Sequence, residues 1–268
     1  MSSELGLDQL SSPESPDFDI VFVHGLFGNR INTWTKNGVL WPQQLLSEDL
    51  PKARIFTFGY DADVTKFNLD HEVTKGTMES HAADLCERLA GLRAKTESMV
   101  VKSVLGDRTD NFSIISNNIR GIVFLGTPFY GSPVAPWGKA ISSMVSVLHK
   151  TDTQKVKDLD QKSEKLKILA ESFASALHQR IRDTKEIRVA FFHETKKLHG
   201  VLVVPEPNSR IPGFGDHASI NADHSTMCKF ADQDSPGYQS VLAAIKKVSV
   251  KEDTGLEDAV RLNPQAKT

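Results

Sequence analysis

Two residues late in the chain have the types and the order that acid–base chemistry requires. Glu194 follows an apolar run at residues 187–192, and His224 lies further on in the polar segment NADHS. A histidine accepts a proton from an attacking hydroxyl most effectively when a carboxylate orients its ring. Taken alone, His224 would more often be a surface or structurally bonded residue. The order, an acid and then a histidine, matches the order in one class of catalytic triads and makes a catalytic pair an equal alternative.

A glycine-rich turn near the start of the chain offers a second chemical function. The residues His24-Gly25-Leu26-Phe27-Gly28 come directly after the run DIVFV. Glycines let backbone N–H groups point into a cleft, where they can stabilise the negative charge of an oxyanion. A plain tight turn explains the same residues, so this alternative stays open.

Alternating strands and helices must position these groups. The chain contains five short, continuous runs of apolar and β-branched residues. Such runs are typical of strands buried on both faces of a parallel sheet. Amphipathic stretches between them predict helices at Met78 to Arg93, from Leu159 to Leu177 and at Tyr238 to Val248. The sequence therefore predicts an α/β fold, with sites at the carboxyl ends of its strands. The five predicted strands are residues 19–23, 53–58, 121–125, 187–192 and 201–204.

Composition excludes several classes of protein. The 268 residues carry 32 basic and 34 acidic side chains, which gives a formal charge of −2. No basic surplus favours nucleic acid, and no apolar run is long enough for a membrane-spanning helix. The only cysteines, Cys86 and Cys228, cannot form a disulfide framework and favour a reducing compartment. Composition thus predicts an intracellular, cytoplasmic protein.

Metal and cofactor chemistry find less support. His224 and Cys228 are four positions apart, but two ligands do not make a zinc site. The spacing His193-Glu194 to His199 does not match the H-E-x-x-H motif. Gly213-Phe214-Gly215 follows a proline and opens no helix, so it is no dinucleotide motif. We therefore expect no metal and no cofactor.

Several segments, taken together and in order, resemble one protein family. From about residue 19 to 248 the chain resembles the serine-active-site-containing lipase-like branch of the α/β-hydrolases, which is related to lipid-remodelling esterases. The resemblance implies a serine hydrolase acting on acyl esters, with an α/β-hydrolase fold. The segments that carry it are VFVHGLFGNRINTW, WPQQLLSEDLPKARIFTFGYDADV, RGIVFLGTPFYGS, FFHETKK, VLVVPEPNSR and NADHSTMCKF.

The resemblance also implies roles for particular residues. His224 would be the general base and Glu194 the triad acid, with Asp216 as a second candidate because it also precedes His224. Residues 24–27 would form the oxyanion loop, with Leu26 and Phe27 as its donors. Related proteins indicate mitochondrial or endoplasmic reticulum membranes, with peripheral attachment.

One expected part of the hydrolase machinery is missing. The G-x-S-x-G elbow, which lifts the nucleophilic serine above the sheet, occurs nowhere in the chain. Ser98 is the serine nearest the expected position, but it lacks the flanking glycines. The 23 residues from Ser98 to Arg120 hold one early apolar run, Met99–Leu105. That run could supply the central strand or the following helix, but not both. Without a replacement strand the sheet would contain a gap.

These observations predict one domain and leave its activity open. Residues 1–17 and 249–268 read as disordered, residues 18–248 as the hydrolase-like domain, and residues 132–165 as a cap or lid insertion. Three hypotheses remain. The first is an ester hydrolase that binds a lipid or acyl-ester substrate. The second is an inactive relative that binds a protein or lipid, and the third is an incomplete form of an active lipid esterase.

Overall fold

The computed structural model describes residues 5–25, 28–62, 73–96, 111–129 and 159–250. Only the backbone is described for residues 73–79, 93–96, 111–114 and 159–167. Of the predicted cap insertion at residues 132–165, the structure describes only residues 159–165, which begin a helix.

The first sheet contains three strands in the order β1-β5-β2. Strand β5 (Ala53–Gly59) lies at its centre, parallel to β2 (Phe18–Val23) and antiparallel to β1 (Gly6–Ser11). The prediction of disorder for residues 1–17 is wrong for β1. This polar strand gains order from pairing with β5 and from Leu10, which packs on the core. In chain order, a short hairpin of β3 (Thr35–Lys36) and β4 (Val39–Leu40) comes between β2 and β5 and forms a separate two-stranded sheet.

The second sheet is parallel, in the order β6-β7-β8. Strand β7 (Arg188–Glu194) pairs with both β6 (Gly121–Leu125) and β8 (Asp216–Ile220). The predicted strand at residues 201–204 is wrong, because only Val201 forms an isolated bridge there. Val203 and Val204 are apolar because they lie buried in a loop. Strand β8 was not predicted, since its sequence DHASI lacks a continuous apolar run.

Helices cover the sheets and connect their strands. The last helix, α6 (Pro236–Ser249), is amphipathic and has Ser235 as its N-cap. It buries five side chains against the core, Tyr238, Val241, Leu242, Ile245 and Val248. A second cluster lies under α5 on the other face of β6 and β7, where Phe129, Leu177 and Phe191 are buried. The helices are α1 (Trp41–Gln44), α2 (Leu46–Asp49), α3 (Val73–Thr96), α4 (Asn111–Asn118), α5 (Leu159–Arg182) and α6 (Pro236–Ser249).

A single hydrophobic core joins the two sheets. Phe22 and Ile55 from the first sheet, and Ala190 and Phe192 from the second, belong to one buried cluster. Trp41 crosses between the halves, because its indole N–H donates to the Cys228 carbonyl at 2.9 Å. The described residues therefore form one α/β domain, and its mostly parallel strands flanked by helices confirm the predicted α/β class.

Within the described residues, the two sheets share no strand. The helix expected between residue 98 and β6 is α4, a short element that begins at Asn111. Met99–Leu105, the run predicted to supply either a strand or that helix, lies outside the described residues. In the described part of the chain, no helix combines the length and the apolarity needed to cross a membrane.

Candidate active site

Glu194 and His224 meet at the carboxyl end of the second sheet. Glu194 is the last residue of β7 and is 0% exposed. Its Oε1 accepts a hydrogen bond from the Val204 N–H at 2.5 Å, and its Oε2 lies 3.4 Å from Nδ1 of His224. A buried carboxylate requires such partners, because desolvation of an unpaired charge is costly. The pair predicted from residue order is thus brought together in space.

The arrangement determines which histidine nitrogen is available. With the Nδ1 proton directed at Glu194, Nε2 of His224 keeps a lone pair on the opposite side of the ring. The 3.4 Å contact is long for a hydrogen bond, as such contacts often are before substrate binds. Nε2 can therefore act as a general base toward a hydroxyl or a water molecule.

A compact turn fixes the loop that carries His224. The Oδ1 atom of Asp223 accepts hydrogen bonds from the N–H groups of Ser225 and Thr226 at 2.9 and 3.1 Å, and from the Ser225 hydroxyl at 2.8 Å. Burial alone would raise the pKa of Asp223, but these hydrogen bonds outweigh it and lower the pKa. Asp223 therefore holds the loop as a charged cap.

Gly126, which follows β6, packs directly against the imidazole. Its φ is +61°, and a β-carbon there would lie 3.1 Å from Nδ1 of His224 and 2.7 Å from the sulfur of Met227. Only glycine satisfies both the left-handed backbone and the close approach. Sequence reasoning did not assign Gly126 a role, although the residues Gly126-Thr127-Pro128 directly follow an apolar run.

The turn after β2 is locked by Tyr60, a residue that the sequence did not single out. The Tyr60 hydroxyl donates to the His24 carbonyl at 2.9 Å, and the Tyr60 N–H donates to His24 Nε2 at 3.3 Å. The two rings stack at 4.4 Å. Nδ1 of His24 lies 3.0 Å from the Gly25 carbonyl. Burial lowers the pKa of His24, which is 3% exposed. His24 is thus a neutral structural residue of this turn.

Asp216, the remaining predicted site residue that the structure describes, does not lie at this site. Asp216 begins β8 rather than lying in a loop, and its carboxylate binds the ammonium group of Lys247. In the β7–β8 register Asp216 pairs with Ala190, whereas Glu194 pairs with the last residue of β8. Asp216 therefore lies at the opposite end of the sheet from His224. Ser98, Leu26 and Phe27 lie outside the described residues.

The cysteines and the histidines offer little further chemistry. Burial raises the pKa of Cys228 to about 12, which keeps the thiol protonated. Burial also raises the pKa of Cys86. Across the ranges that the structure describes, no group of three or more histidine, cysteine or acidic residues could hold a metal ion.

Comparisons with known sequences find one set of relatives. No family model matches the chain. It is 26% identical over 271 residues to Protein SERAC1 of Bos taurus and 25% identical over 266 residues to Protein SERAC1 of Homo sapiens. Each alignment covers 87% of this chain and 39% of the relative. The chain thus spans about two fifths of the length of the curated relatives that it matches.

Two solved thioesterase domains also align with the chain. The NocB thioesterase domain, in a covalent complex with a fluorophosphonate nocardicin G analog, covers 91% of it at 11% identity and a TM-score of 0.33. The Vlm2 thioesterase domain, bound with a tetradepsipeptide, covers 90% at 16% identity and a TM-score of 0.35. With TM-scores this low, the two domains do not define the fold of this chain.

Proposed function

We propose that this chain is an acyl-ester hydrolase domain of the lipase and esterase type that keeps its acid–base pair but lacks its serine nucleophile. The observation that carries the proposal is the pairing of buried Glu194 with His224 at the carboxyl end of a parallel sheet. A fully buried carboxylate with one oxygen toward a histidine is an expensive arrangement for a purely structural role.

The chemistry that this pair supports is proton transfer. In ester hydrolysis without a serine nucleophile, Nε2 of His224 would remove a proton from an attacking water molecule while the new C–O bond forms at the acyl carbon. Glu194 would stabilise the resulting imidazolium. The same proton would then pass to the departing alkoxide, which leaves as an alcohol. The family resemblance implies that the backbone N–H groups of Leu26 and Phe27 would stabilise the oxyanion.

The chain lacks the sequence motif that carries the nucleophile in α/β-hydrolases. The sequence contains no G-x-S-x-G, and the serine nearest the expected position is Ser98. We infer that Ser98 does not replace the missing elbow, because it has no glycine beside it to permit a sharp strand-to-helix turn. The substrate class, acyl esters of lipids, and a location at mitochondrial or endoplasmic reticulum membranes follow from the family resemblance alone.

A second candidate function is that of an inactive relative which binds a protein or a lipid without turnover. The missing elbow favours it, since loss of one triad member in well-studied serine proteases leaves only about 10³–10⁴-fold rate enhancement over water. A third alternative is an incomplete form of an active lipid esterase. Sequencing transcripts across the junction at residues 97–99 tests it, and an uninterrupted junction in the dominant transcript would exclude it.

The decisive experiment measures the intact mass of the folded chain after incubation with a fluorophosphonate, beside Ser98→Ala and His224→Ala variants. We expect no adduct on the wild type, while an active serine hydrolase in the same tube is fully labelled. One adduct that is lost in both variants would overturn the proposal and identify Ser98 as a displaced nucleophile. An adduct that persists in Ser98→Ala would identify a different serine.

A further inference from the structure

The two ring nitrogens of His24, the residue after β2, take opposite roles in hydrogen bonding. Nε2 accepts a hydrogen bond from the Tyr60 N–H at 3.3 Å, so it carries no proton. Nδ1 lies 3.0 Å from the Gly25 carbonyl oxygen, which can only accept, so Nδ1 carries the proton. The two contacts therefore select one neutral tautomer of His24.

The contacts between His24 and Tyr60 join the ends of two neighbouring parallel strands, β2 and β5. Tyr60 follows β5, and its hydroxyl donates to the His24 carbonyl at 2.9 Å. The two rings stack with their centroids 4.4 Å apart and their planes 3° from parallel. We call His24, Gly25 and Tyr60 the latch. It holds the first residues after β2 against the end of β5.

The later part of the turn has its own attachments to the first sheet. The Thr57 hydroxyl donates to the Arg30 carbonyl at 2.7 Å, and the Arg30 guanidinium lies 3.3 Å from the carboxylate of Asp8 on β1. Neither contact involves the imidazole of His24. The latch can therefore open while Arg30 stays bound to its neighbours.

In the part of the chain that the structure describes, no carboxylate pairs with His24 to stabilise a second proton. Burial lowers the pKa of His24, and its hydrogen bond to the Gly25 carbonyl opposes that shift. A second proton on Nε2 would face the Tyr60 N–H without a counter-charge. The nearest charged and titratable groups on the surrounding elements are Arg30 in the turn, Tyr60 and Asp61 after β5, and His81 on α3, which contacts the Tyr60 ring.

We propose that the latch is a pH-sensitive switch, in which a second proton on Nε2 of His24 removes the acceptor of the Tyr60 N–H and releases His24 and Gly25 from the end of β5. The proton comes from solvent and is taken up in the open state. Burial lowers the pKa of His24 below 6.5 while the latch is closed, whereas the exposed ring of the open latch has its ordinary pKa of 6.5. The latch is therefore closed at neutral pH, and its open fraction rises as the pH falls below 6.5.

The switch acts on the start of the predicted oxyanion loop. The family resemblance assigns that role to residues 24–27, so an open latch would detach the first two of them at mildly acidic pH. This inference goes beyond the proposed function and does not depend on it, since the latch opens whether or not the Glu194–His224 pair supports turnover.

The first experiment reads the tautomer and the titration of His24 by long-range ¹H–¹⁵N NMR on the full chain, with His24→Gln to assign the signals. We expect the proton on Nδ1 alone at neutral pH, and a titration midpoint below the ordinary value of 6.5. A neutral ring protonated on Nε2, or a midpoint at or above 6.5, would overturn the proposal.

Amide hydrogen exchange of Tyr60 tests the release. We expect its protection factor to fall by up to about tenfold per pH unit below the ordinary pKa of His24. His24→Gln should abolish this pH dependence, because glutamine offers the Tyr60 N–H an acceptor at every pH. His178→Gln removes an exposed histidine of α5, so it is the matched control and should keep the dependence. A dependence that persists in His24→Gln would overturn the proposal.

The Phe56 amide distinguishes opening of the latch from unfolding of the whole domain. Phe56 lies inside β5 and pairs with Gln9 and Val21. We expect the protection factor of Tyr60 to be at least about tenfold below that of Phe56 at each pH. Equal protection factors would mean that the latch opens only when the fold unfolds, and would overturn the proposal. If His24→Gln does not fold, the tautomer and the titration midpoint of the wild type decide.

Discussion

The backbone of Gly126 lies against the imidazole of His224, so closely that a β-carbon at position 126 would be 3.1 Å from Nδ1. The contact joins the end of β6 to a loop 98 positions later in the chain, and it confines the ring on one side. It makes a glycine, rather than a titratable group, one of the residues that hold the proposed base in place.

Gly126→Ala should therefore destabilise the fold and move His224. A non-glycine residue with positive φ costs about 1–3 kcal/mol, and displacing His224 and Met227 adds to that. The matched control is Gly200→Ala, since Gly200 also has a positive φ (+86°) but has no atom within 4 Å of its β-carbon position. Urea unfolding gives both free energies, and the imidazole NMR signals of His224 report the displacement. Equal losses in the two variants would contradict the packing role of Gly126.

Glu194→Ala should cost more than Glu194→Gln. Alanine leaves the buried Val204 N–H without its acceptor, which costs about 1–3 kcal/mol, whereas glutamine keeps a carbonyl oxygen for that bond. Glu206→Ala is the control, because Glu206 is a surface acid with a half-exposed side chain. The free energy of unfolding, measured in urea for all three variants, tests the order. Glu194→Gln as unstable as Glu194→Ala would show that the charge, not the Val204 bond, dominates.

The stability of the fold should fall at mildly acidic pH because of His24. Burial lowers the pKa of this histidine in the folded state below its ordinary value of 6.5, so the unfolded chain takes up the proton first. The contribution of neutral His24 is present above pH 6.5 and is lost as the pH falls below that value. Urea unfolding between pH 8 and 5 should show a smaller decrease for His24→Gln than for the wild type. Parallel curves would exclude His24 as the source.

Tyr238 and Asp49 should be coupled in stability. The Tyr238 hydroxyl donates to Oδ2 of Asp49 at 2.5 Å and joins α6 to α2. Hydrogen bonds to charged groups contribute about 1.5–3 kcal/mol, so Tyr238→Phe should lower the free energy of unfolding by an amount of that order. In a double-mutant cycle with Asp49→Asn, the two losses should not add. Strict additivity would mean that the bond contributes nothing in solution.

The sequence was most informative where a strand is apolar along its whole length. Strands β2, β5, β6 and β7 were predicted because each is a continuous apolar run. Strand β8 was missed because it is an edge strand with exposed Asp216 and His217. The run VLVV was misassigned because Val203 and Val204 are buried in a loop, where Val204 also binds Glu194.

The sequence also predicted only some of the residues of the candidate site. The order of acid and histidine predicted the Glu194–His224 pair, although the strand that precedes His224, β8, was not predicted. Gly126 and Tyr60 were missed because their roles depend on contacts with residues far away in the chain. A glycine after a strand, or a tyrosine after the next strand, has no local pattern that distinguishes such a role. Asp216 was a reasonable candidate by order alone, and only the register of β8 places it at the other end of the sheet.

The shared core has a consequence for how the molecule unfolds. Because Trp41 of α1 donates to the Cys228 carbonyl, and residues of both sheets pack into one large cluster, neither three-stranded half keeps that cluster when it is alone. We expect the two halves to unfold together in a single cooperative transition rather than as separate foldons. Of two fragments cut between α3 and α4, the first would lose the residues that the second sheet adds to the large cluster, and the second would keep only the smaller cluster under α5.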